Sequence, residues 1–307
     1  MIAPATRVLT LLTALLSLVS CSEEPGGCET GTGVTLQVLG SGGPIADDHR
    51  ASTGYLVWID GRSRVLIDAG GGTFLRFGEA GASFNDLDFV GLSHLHTDHS
   101  ADFPALVKSG YFSSRGRALP IAGPDGAGPF PGLKRFLVAM FDSDEGAYGY
   151  LDSFLVGTSE TPMLTPREVP VDEETVVYTG DGLAIDALQV PHGIVPAVAF
   201  RVRAGDKTLV FASDQNGSRP NFAEFARDAD VLVMHMAIPE DAEGVARRLH
   251  APPSLIGRIA AEAGAGKLVL SHFMARSLAD IDGNVARVRL EFQGEVVVAA
   301  DLACISP

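Results

Sequence analysis

The sequence has few basic residues, and this shortage limits the classes of function that we expect for the protein. Its 307 residues include 23 Lys and Arg against 38 Asp and Glu, a formal net charge of −15. Nucleic-acid-binding proteins normally present a basic face, so we do not expect nucleic acid as a partner. Internal repeats and polar low-complexity blocks are also missing. The apolar content of 46% suffices for a substantial core, and no linker divides the chain, which favours one domain.

The first 33 residues indicate export. Arg7 is the only charge before the apolar run Val8–Ser20, which is too short to cross a bilayer comfortably. The run ends in Leu18-Val19-Ser20-Cys21, which resembles the lipobox of bacterial lipoproteins and implies cleavage before the cysteine and a lipid on its thiol. We expect a signal peptide over 1–20, a flexible tether over 21–33 and a protein anchored to the membrane, periplasmic or at the cell surface. An ordinary cleaved signal or an uncleaved anchor is the alternative.

Two cysteines remain once Cys21 carries a lipid. Cys28 and Cys304 lie near the two ends of the mature chain. An exported compartment permits a disulfide between them, which would close the domain by its termini. Two isolated thiols fit the sequence equally well. Neither cysteine has a neighbouring histidine or a metal-like spacing, so we do not expect thiolate ligands.

Short apolar runs between Gly and Asp turns predict a β-rich first part and an alternation of helix and strand later. Predicted strands are Val34–Leu39, Tyr55–Ile59, Arg64–Ile67, Phe89–Leu92, Pro120–Gly123, Thr175–Tyr178, Leu183–Val190, Ala197–Val202, Thr208–Ala212, Val231–Met234, Lys267–Leu270 and Glu295–Ala299. Predicted helices are Asp102–Tyr111, Leu133–Phe141, Phe222–Arg227 and Ser254–Ala263. Proline and glycine from Asp142 to Pro170 favour a surface loop over the site.

The most informative segment is His94-Leu95-His96-Thr97-Asp98-His99, which directly follows an apolar run. It holds three of the eight histidines and one carboxylate. Neutral imidazole and carboxylate suit zinc, iron or manganese, and open positions on such metals hold water for hydrolysis. A polar turn with chance histidines is the alternative.

Four further polar residues stand where an apolar run ends, at Asp68, His192, Asp214 and His272. Side chains at such strand ends can reach a shared cleft. Each alone would be an ordinary turn or cap residue, and only the four together indicate a functional site. Together with the hexapeptide they bring five histidines and two aspartates, Asp98 and Asp214, which is about what two metals need once water fills the rest.

This set resembles, in order, the five motifs of the metallo-β-lactamase superfamily, from about Val34 to Val298. The resemblance implies an α/β fold, an αββα four-layer sandwich in a single domain over 34–307, with a dinuclear site at one edge. Its ligand assignment, carried over by position, is His94, His96 and His192 for one metal, Asp98, His99 and His272 for the other, and Asp214 bridging. Asp68 would orient the ligands from behind. Zinc is the first candidate for both ions, with manganese or iron as alternatives.

Asp214 also indicates a branch of the superfamily. True β-lactamases of this fold do not place a bridging Asp there, whereas phosphodiesterases, sulfatases, glyoxalases and ribonuclease Z do. The C-terminal third most resembles ribonuclease Z, because His250 lies 22 positions before His272 and takes the place of that family's His-Ser-Thr segment. There the histidine is the proposed proton donor to the leaving group; a helix-start role is the alternative. His235 resembles the first residue of that family's His-Glu-Ala-Thr motif.

The departures from ribonuclease Z matter as much. Met236 stands where that motif carries Glu, which removes a catalytic hydrogen-bond pair. Only 22 positions separate His192 from Asp214, so the long arm that grips tRNA in that family has no room. An acidic, exported chain would also be kept apart from precursor tRNA, and these departures argue against tRNA processing.

We therefore predict an exported hydrolase that cleaves small phosphodiester or sulfate-ester substrates by attack of a hydroxide held between two metals. Asp98 would orient the water or accept its proton, and His250 would protonate the leaving oxygen. A ribonuclease Z-like endonuclease and a lactonase are the enzymatic alternatives. A non-catalytic metal-binding lipoprotein is the alternative from another class. Nothing in the sequence indicates the oligomeric state.

Overall fold

The computed structural model describes residues 1, 28, 31–171 and 173–307. Apart from its first residue, the predicted signal peptide lies outside the described residues, as does most of the tether. Within the described part of the chain, no helix has the length and apolar character needed to span a bilayer.

Fourteen strands and ten α-helices make up the described fold. The strands are β1 Val34–Gly40, β2 Gly54–Ile59, β3 Arg62–Ile67, β4 Phe89–Gly91, β5 Leu119–Pro124, β6 Leu164–Val169, β7 Thr175–Gly180, β8 Leu183–His192, β9 Val195–Ala204, β10 Lys207–Phe211, β11 Val231–His235, β12 Lys267–Ser271, β13 Glu295–Val298 and β14 Cys304–Ile305. The helices are α1 Thr73–Glu79, α2 Thr97–Ser100, α3 Phe103–Gly110, α4 Leu133–Phe141, α5 Ser153–Val156, α6 Phe222–Phe225, α7 Gly244–Leu249, α8 Pro253–Ala263, α9 Ala275–Leu278 and α10 Ile281–Glu291.

The strands form two seven-stranded mixed sheets that pack face to face between layers of helices. The first sheet has the order β14-β1-β2-β3-β4-β5-β6 and the second β13-β12-β11-β10-β9-β8-β7. Along β3, Val65 and Ile67 lie in the core between the sheets, while Leu66 packs with the helices on the outer face. Both faces of the strand are buried, which explains its continuous apolar sequence. The predicted αββα sandwich in a single domain is confirmed.

Parallel pairing brings the ends of several strands to one edge of the sandwich. In the first sheet β3 pairs in parallel with β4, and in the second β10, β11 and β12 run parallel to one another. The carboxyl ends of parallel strands meet at the same edge. The polar residues that follow these strands are therefore delivered to one place.

The predicted loop over 142–170 is wrong in part. This segment contains a 3-10 turn at Gly149–Leu151, helix α5 and strand β6, which pairs in parallel with β5 at the edge of the first sheet. A proline and two charged residues interrupt the apolar pattern of β6, as is tolerated at a sheet edge. The segment contributes no lining residue to the central cavity described below.

Cys28 and Cys304 form a disulfide, which decides the question that the sequence left open. The bond joins the chain before β1 to the edge strand β14, across a separation of 276 residues. A cross-link that closes so long a loop strongly restricts the unfolded chain.

Replacing Cys28 and Cys304 together by serine should lower the free energy of unfolding by about 2–5 kcal/mol. Urea denaturation of the oxidised protein and of the double variant measures this difference. A reducing agent should shift the midpoint of the wild type in the same direction and leave that of the variant unchanged. Equal midpoints for the oxidised wild type and the variant would contradict the expected role of the bond.

Candidate metal centre

Three residues at this edge of the sandwich adopt a left-handed backbone conformation, which residues other than glycine rarely take. The φ angles are 62° at Asp68, 59° at Ser213 and 56° at His272. Each follows a strand and turns the chain sharply, so that Asp68, Asp214 and His272 enter the same space. Such strain costs on the order of 1–3 kcal/mol per residue and is typical of functional sites.

One group of side chains consists of three histidines, two from the loop after β4 and one from the end of β8. The ligand atoms of His94, His96 and His192 all lie within 4.8 Å of one another. Nδ1 of His192 is 2.9 Å from the Leu249 carbonyl oxygen and donates to it, which turns Nε2 toward the group. His94 and His192 are buried, and His96 is half-buried. Nε2 of His94 and Nδ1 of His96 lie 3.1 Å apart, so the three imidazoles converge as a facial set of ligands for a divalent metal would.

A second group lies directly beside the first. Ligand atoms of His99, Asp214, His235 and His272 lie within 4.8 Å of one another. Asp98 joins them, since its Oδ2 is 3.2 Å from Nε2 of His272 and 3.5 Å from Nε2 of His99. The second set predicted from the sequence is thus assembled, with His235 as an additional neighbour.

Asp214 lies between the two groups. Its Oδ2 is 3.6 Å from Nε2 of His192, 3.7 Å from Nε2 of His99 and 4.0 Å from Nε2 of His94. Its Oδ1 is 3.4 Å from Nε2 of His272. One carboxylate therefore faces histidines of both groups, which is the position that a bridging ligand needs.

Asp68 lies behind the ligands and fixes the ring orientation of His99. Its Oδ1 accepts a hydrogen bond from the backbone N–H of Ser93 at 2.6 Å, and its Oδ2 accepts from Nδ1 of His99 at 2.8 Å. A carboxylate on one ring nitrogen leaves the other nitrogen free to bind a metal. Nε2 of His99 is buried and has no hydrogen-bond partner among the described residues, as a ligand awaiting a metal would.

The charge states of the group suit metal binding. Burial lowers the pKa of His94 well below its usual range, so that the ring is neutral. Burial opposes ionisation of Asp98 and Asp214, but neighbouring imidazoles hold the pKa of Asp98 at about 2 and that of Asp214 well below its usual range. His99 differs, because Asp68 and Asp98 raise its pKa to about 9 although burial lowers it. Neutral imidazole and ionised carboxylate are the metal-binding forms, so a metal at His99 would displace a proton.

A cavity of about 510 Å³ opens onto these residues. Among its described lining residues are His250 and Arg276, which is the only Lys or Arg there. Nδ1 of His250 is 3.8 Å from Oδ1 of Asp214, and burial lowers the pKa of the ring to about 4. His250 therefore lines the cavity beside Asp214. Arg276 was not predicted from the sequence, although it lies only four positions after His272.

His235 lies behind Asp214 and is not among the residues that line the cavity. Its Nδ1 is 2.7 Å from Oδ1 of Asp214, and its Nε2 is 3.0 Å from the hydroxyl of Tyr55. Burial lowers the pKa of His235 to about 3, so the ring is neutral. All ten site residues predicted from the sequence thus come together at one edge, and Tyr55 is an addition that the sequence did not suggest.

Comparison with known proteins agrees with this geometry. A family model described as "Beta-lactamase superfamily domain" matches residues 63–273. A curated relative named "Ribonuclease Z", from Mycobacterium sp. (strain KMS), is 30% identical over 252 residues, which cover 78% of this chain and 84% of the relative.

Two solved structures are similar over nearly the whole described chain. The metallo-beta-lactamase fold protein YhfI from Bacillus subtilis has a TM-score of 0.67 and 26% identity, covering 89% of this chain and 98% of its own. Human tRNase Z, short form, has a TM-score of 0.68 with the same coverage of both chains. Its identity is 19%, so this likeness concerns the fold alone.

Proposed function

The chain belongs to the metallo-β-lactamase superfamily and is a metal-dependent hydrolase of its ribonuclease Z and phosphodiesterase branch, and we propose that it hydrolyses small phosphodiester or sulfate-ester substrates at a dinuclear centre. The observation that carries the proposal is the position of Asp214, whose carboxylate faces both groups of histidines. When bound, two divalent ions would supply Lewis acidity and activate water for attack on an ester.

The ligand assignment follows the two groups. His94, His96 and His192 would hold one ion, Asp98, His99 and His272 the other, and Asp214 both. The donor set suits zinc, which we propose, and it also accepts manganese or iron. A complete, inward-facing ligand set argues against a decayed site, which would be expected to lose ligands, and the turnover experiment below separates an enzyme from a lipoprotein that only binds metal.

The remaining polar residues of the cavity would act on the substrate. The guanidinium of Arg276 offers a charged donor to an anionic ester oxygen. Because the ring of His250 is neutral, its N–H would donate a hydrogen bond to the leaving oxygen instead of transferring a proton. Asp98 would orient the attacking water or accept its proton. These roles require only the side chains that line the cavity.

A small substrate fits the dimensions of the site. The cavity of about 510 Å³ lies within the range of small-molecule sites. His192 pairs directly with Val195 across the turn between β8 and β9, so no arm extends from this turn. RNA is the second candidate substrate, because the curated relative is named a ribonuclease. The same relative does not favour our expectation from the sequence that nucleic acid is not a partner.

We also propose export and a lipid anchor at Cys21. The disulfide between Cys28 and Cys304 supports an exported location, because such bonds form and persist in oxidising compartments. A lipid-anchored hydrolase outside the cytoplasm would meet small esters rather than precursor tRNA.

Turnover by the metal-loaded protein tests the proposed function. Suitable substrates are bis(p-nitrophenyl) phosphate, p-nitrophenyl sulfate, a lactone panel and a precursor tRNA, with His94→Ala as the inactive control. We expect hydrolysis of a phosphodiester or a sulfate ester that is lost in the control. Turnover of the tRNA alone would assign the second candidate, turnover of lactones alone would assign a lactonase, and a metal-loaded protein that turns over none of them would contradict an enzyme of this class.

A further inference from the structure

Both ring nitrogens of His235 are engaged within the protein. Nδ1 is 2.7 Å from Oδ1 of Asp214, and Nε2 is 3.0 Å from the hydroxyl of Tyr55. Both side chains are buried, with 4% of His235 and 1% of Tyr55 exposed. An imidazole with both nitrogens paired offers no free lone pair to a metal. His235 therefore supports Asp214 instead of joining the ligands, although it lies within 4.8 Å of them.

The donor and acceptor roles in this chain of contacts follow from elementary chemistry. The ionised carboxylate of Asp214 can only accept, so Nδ1 of His235 carries the proton and donates it. The neutral ring then has a bare Nε2 that can only accept, and the hydroxyl of Tyr55 is the donor that pairs with it. By donating to Nε2, the hydroxyl of Tyr55 stabilises the tautomer of His235 that Asp214 requires.

We propose that Tyr55 is a positioning residue of the metal centre, which acts through His235 to orient the carboxylate of Asp214 between the two groups of ligands. This inference rests on the dinuclear centre proposed above. With Oδ1 held by His235, Oδ2 is directed toward His192 and His99, at 3.6 and 3.7 Å. A carboxylate that can rotate would lose this simultaneous approach to both groups.

The place of Tyr55 in the fold explains why it can do this. It lies on β2 opposite Ile67 of β3, next to the strand end that carries Asp68. Its ring packs against Phe211 of β10 with centroids 5.5 Å apart, so the side chain crosses from the first sheet to the second. The hydroxyl thus reaches the sheet that delivers Asp214 and His235 from the sheet that delivers the segment His94–His99.

The residue that follows His235 explains why a hydroxyl from another strand is needed here. The corresponding motif of ribonuclease Z carries a glutamate where this chain has Met236, which is fully buried. An apolar thioether cannot replace the hydrogen bonds of a carboxylate. The polar support for this corner of the site comes instead from another strand, through the hydroxyl of Tyr55.

Tyr55→Phe tests the proposal, because it removes the hydroxyl and keeps the ring contact with Phe211. We expect metal affinity to fall by about 10–100-fold, as is usual when a partner behind a ligand is removed. Competition with a chromophoric chelator measures the affinity, and circular dichroism of the metal-free protein reports whether the fold is kept. Tyr178→Phe is the matched control, because Tyr178 is a half-buried tyrosine that packs on Phe89 outside the site. This variant should bind metal like the wild type.

A double-variant cycle separates positioning from packing. The side-chain amide of asparagine places a donor where Nδ1 of histidine lies and has no tautomers, so His235→Asn removes the need for Tyr55. We expect Tyr55→Phe to cost no further metal affinity in the His235→Asn background. The same loss in both backgrounds would show that Tyr55 acts by packing alone and would overturn the proposal.

The proposal and the proposed function fail in different ways. A wild type that binds metal and turns over an ester, with a Tyr55→Phe variant of equal metal affinity, overturns the role of Tyr55 and leaves the function intact. A wild type that binds no divalent metal overturns both.

Discussion

Replacing Asp214 by alanine should release the bound metal and abolish turnover. The carboxylate approaches histidines of both sets, at 3.6 Å from Nε2 of His192 and 3.4 Å from Nε2 of His272. Its loss would remove a shared ligand and leave the N–H of His235 buried without an acceptor. Elemental analysis after gel filtration and hydrolysis of the best substrate measure the two effects.

A matched control for this variant is Asp206→Ala. Asp206 lies exposed in the turn between β9 and β10, far from the strand ends that form the site. It should keep both the metal and the activity. An Asp214→Ala protein that retains two metal ions per chain would show that the carboxylate is not the shared ligand.

Replacing His250 by alanine should leave the metal in place and slow hydrolysis by about 10²–10³-fold, the usual contribution of a positioned hydrogen-bond donor to a developing anion. His250 faces the cavity, and its Nδ1 has no hydrogen-bond partner among the described residues. The ring therefore can interact with a leaving oxygen without giving up another contact.

The dependence on the leaving group distinguishes this role from a structural one. Aryl esters with leaving groups of increasing pKa should show a steeper decline in kcat for His250→Ala than for the wild type, because poor leaving groups need a donor most. Metal content should stay equal to that of the wild type. A variant that slows all esters equally, or that loses its metal, would contradict a role on the leaving group.

The ligands could be predicted from the sequence because their signal is local. Asp68, Asp214 and His272 each directly follow an apolar run, and the structure confirms that these runs are strands whose ends meet at one edge. Histidine and aspartate in that position are rare enough, as a set, to indicate a metal centre. The αββα sandwich followed from the same motifs.

The elements that the sequence missed have weak local patterns. Helix α7 has no buried residue, so no apolar face marks it. Strand β6 is an edge strand in which a proline and two charged residues interrupt the apolar pattern that would predict a strand. Both are held by contacts with distant parts of the chain, which a local pattern does not encode.

Tyr55 and the disulfide depend on tertiary contacts alone. The hydroxyl of Tyr55 meets His235 across 180 positions, and Cys28 meets Cys304 across 276. From the sequence, Tyr55 is indistinguishable from the other apolar residues of a buried strand. Its polar role becomes visible only when the two sheets are packed together.

Anomalous diffraction from crystals of the metal-loaded protein, recorded at the zinc, manganese and iron absorption edges, tests the central claim most directly. We expect two metal peaks, one bound by His94, His96 and His192 and the other by Asp98, His99 and His272, with Asp214 in contact with both. A single peak, or none at these side chains, would contradict a dinuclear centre.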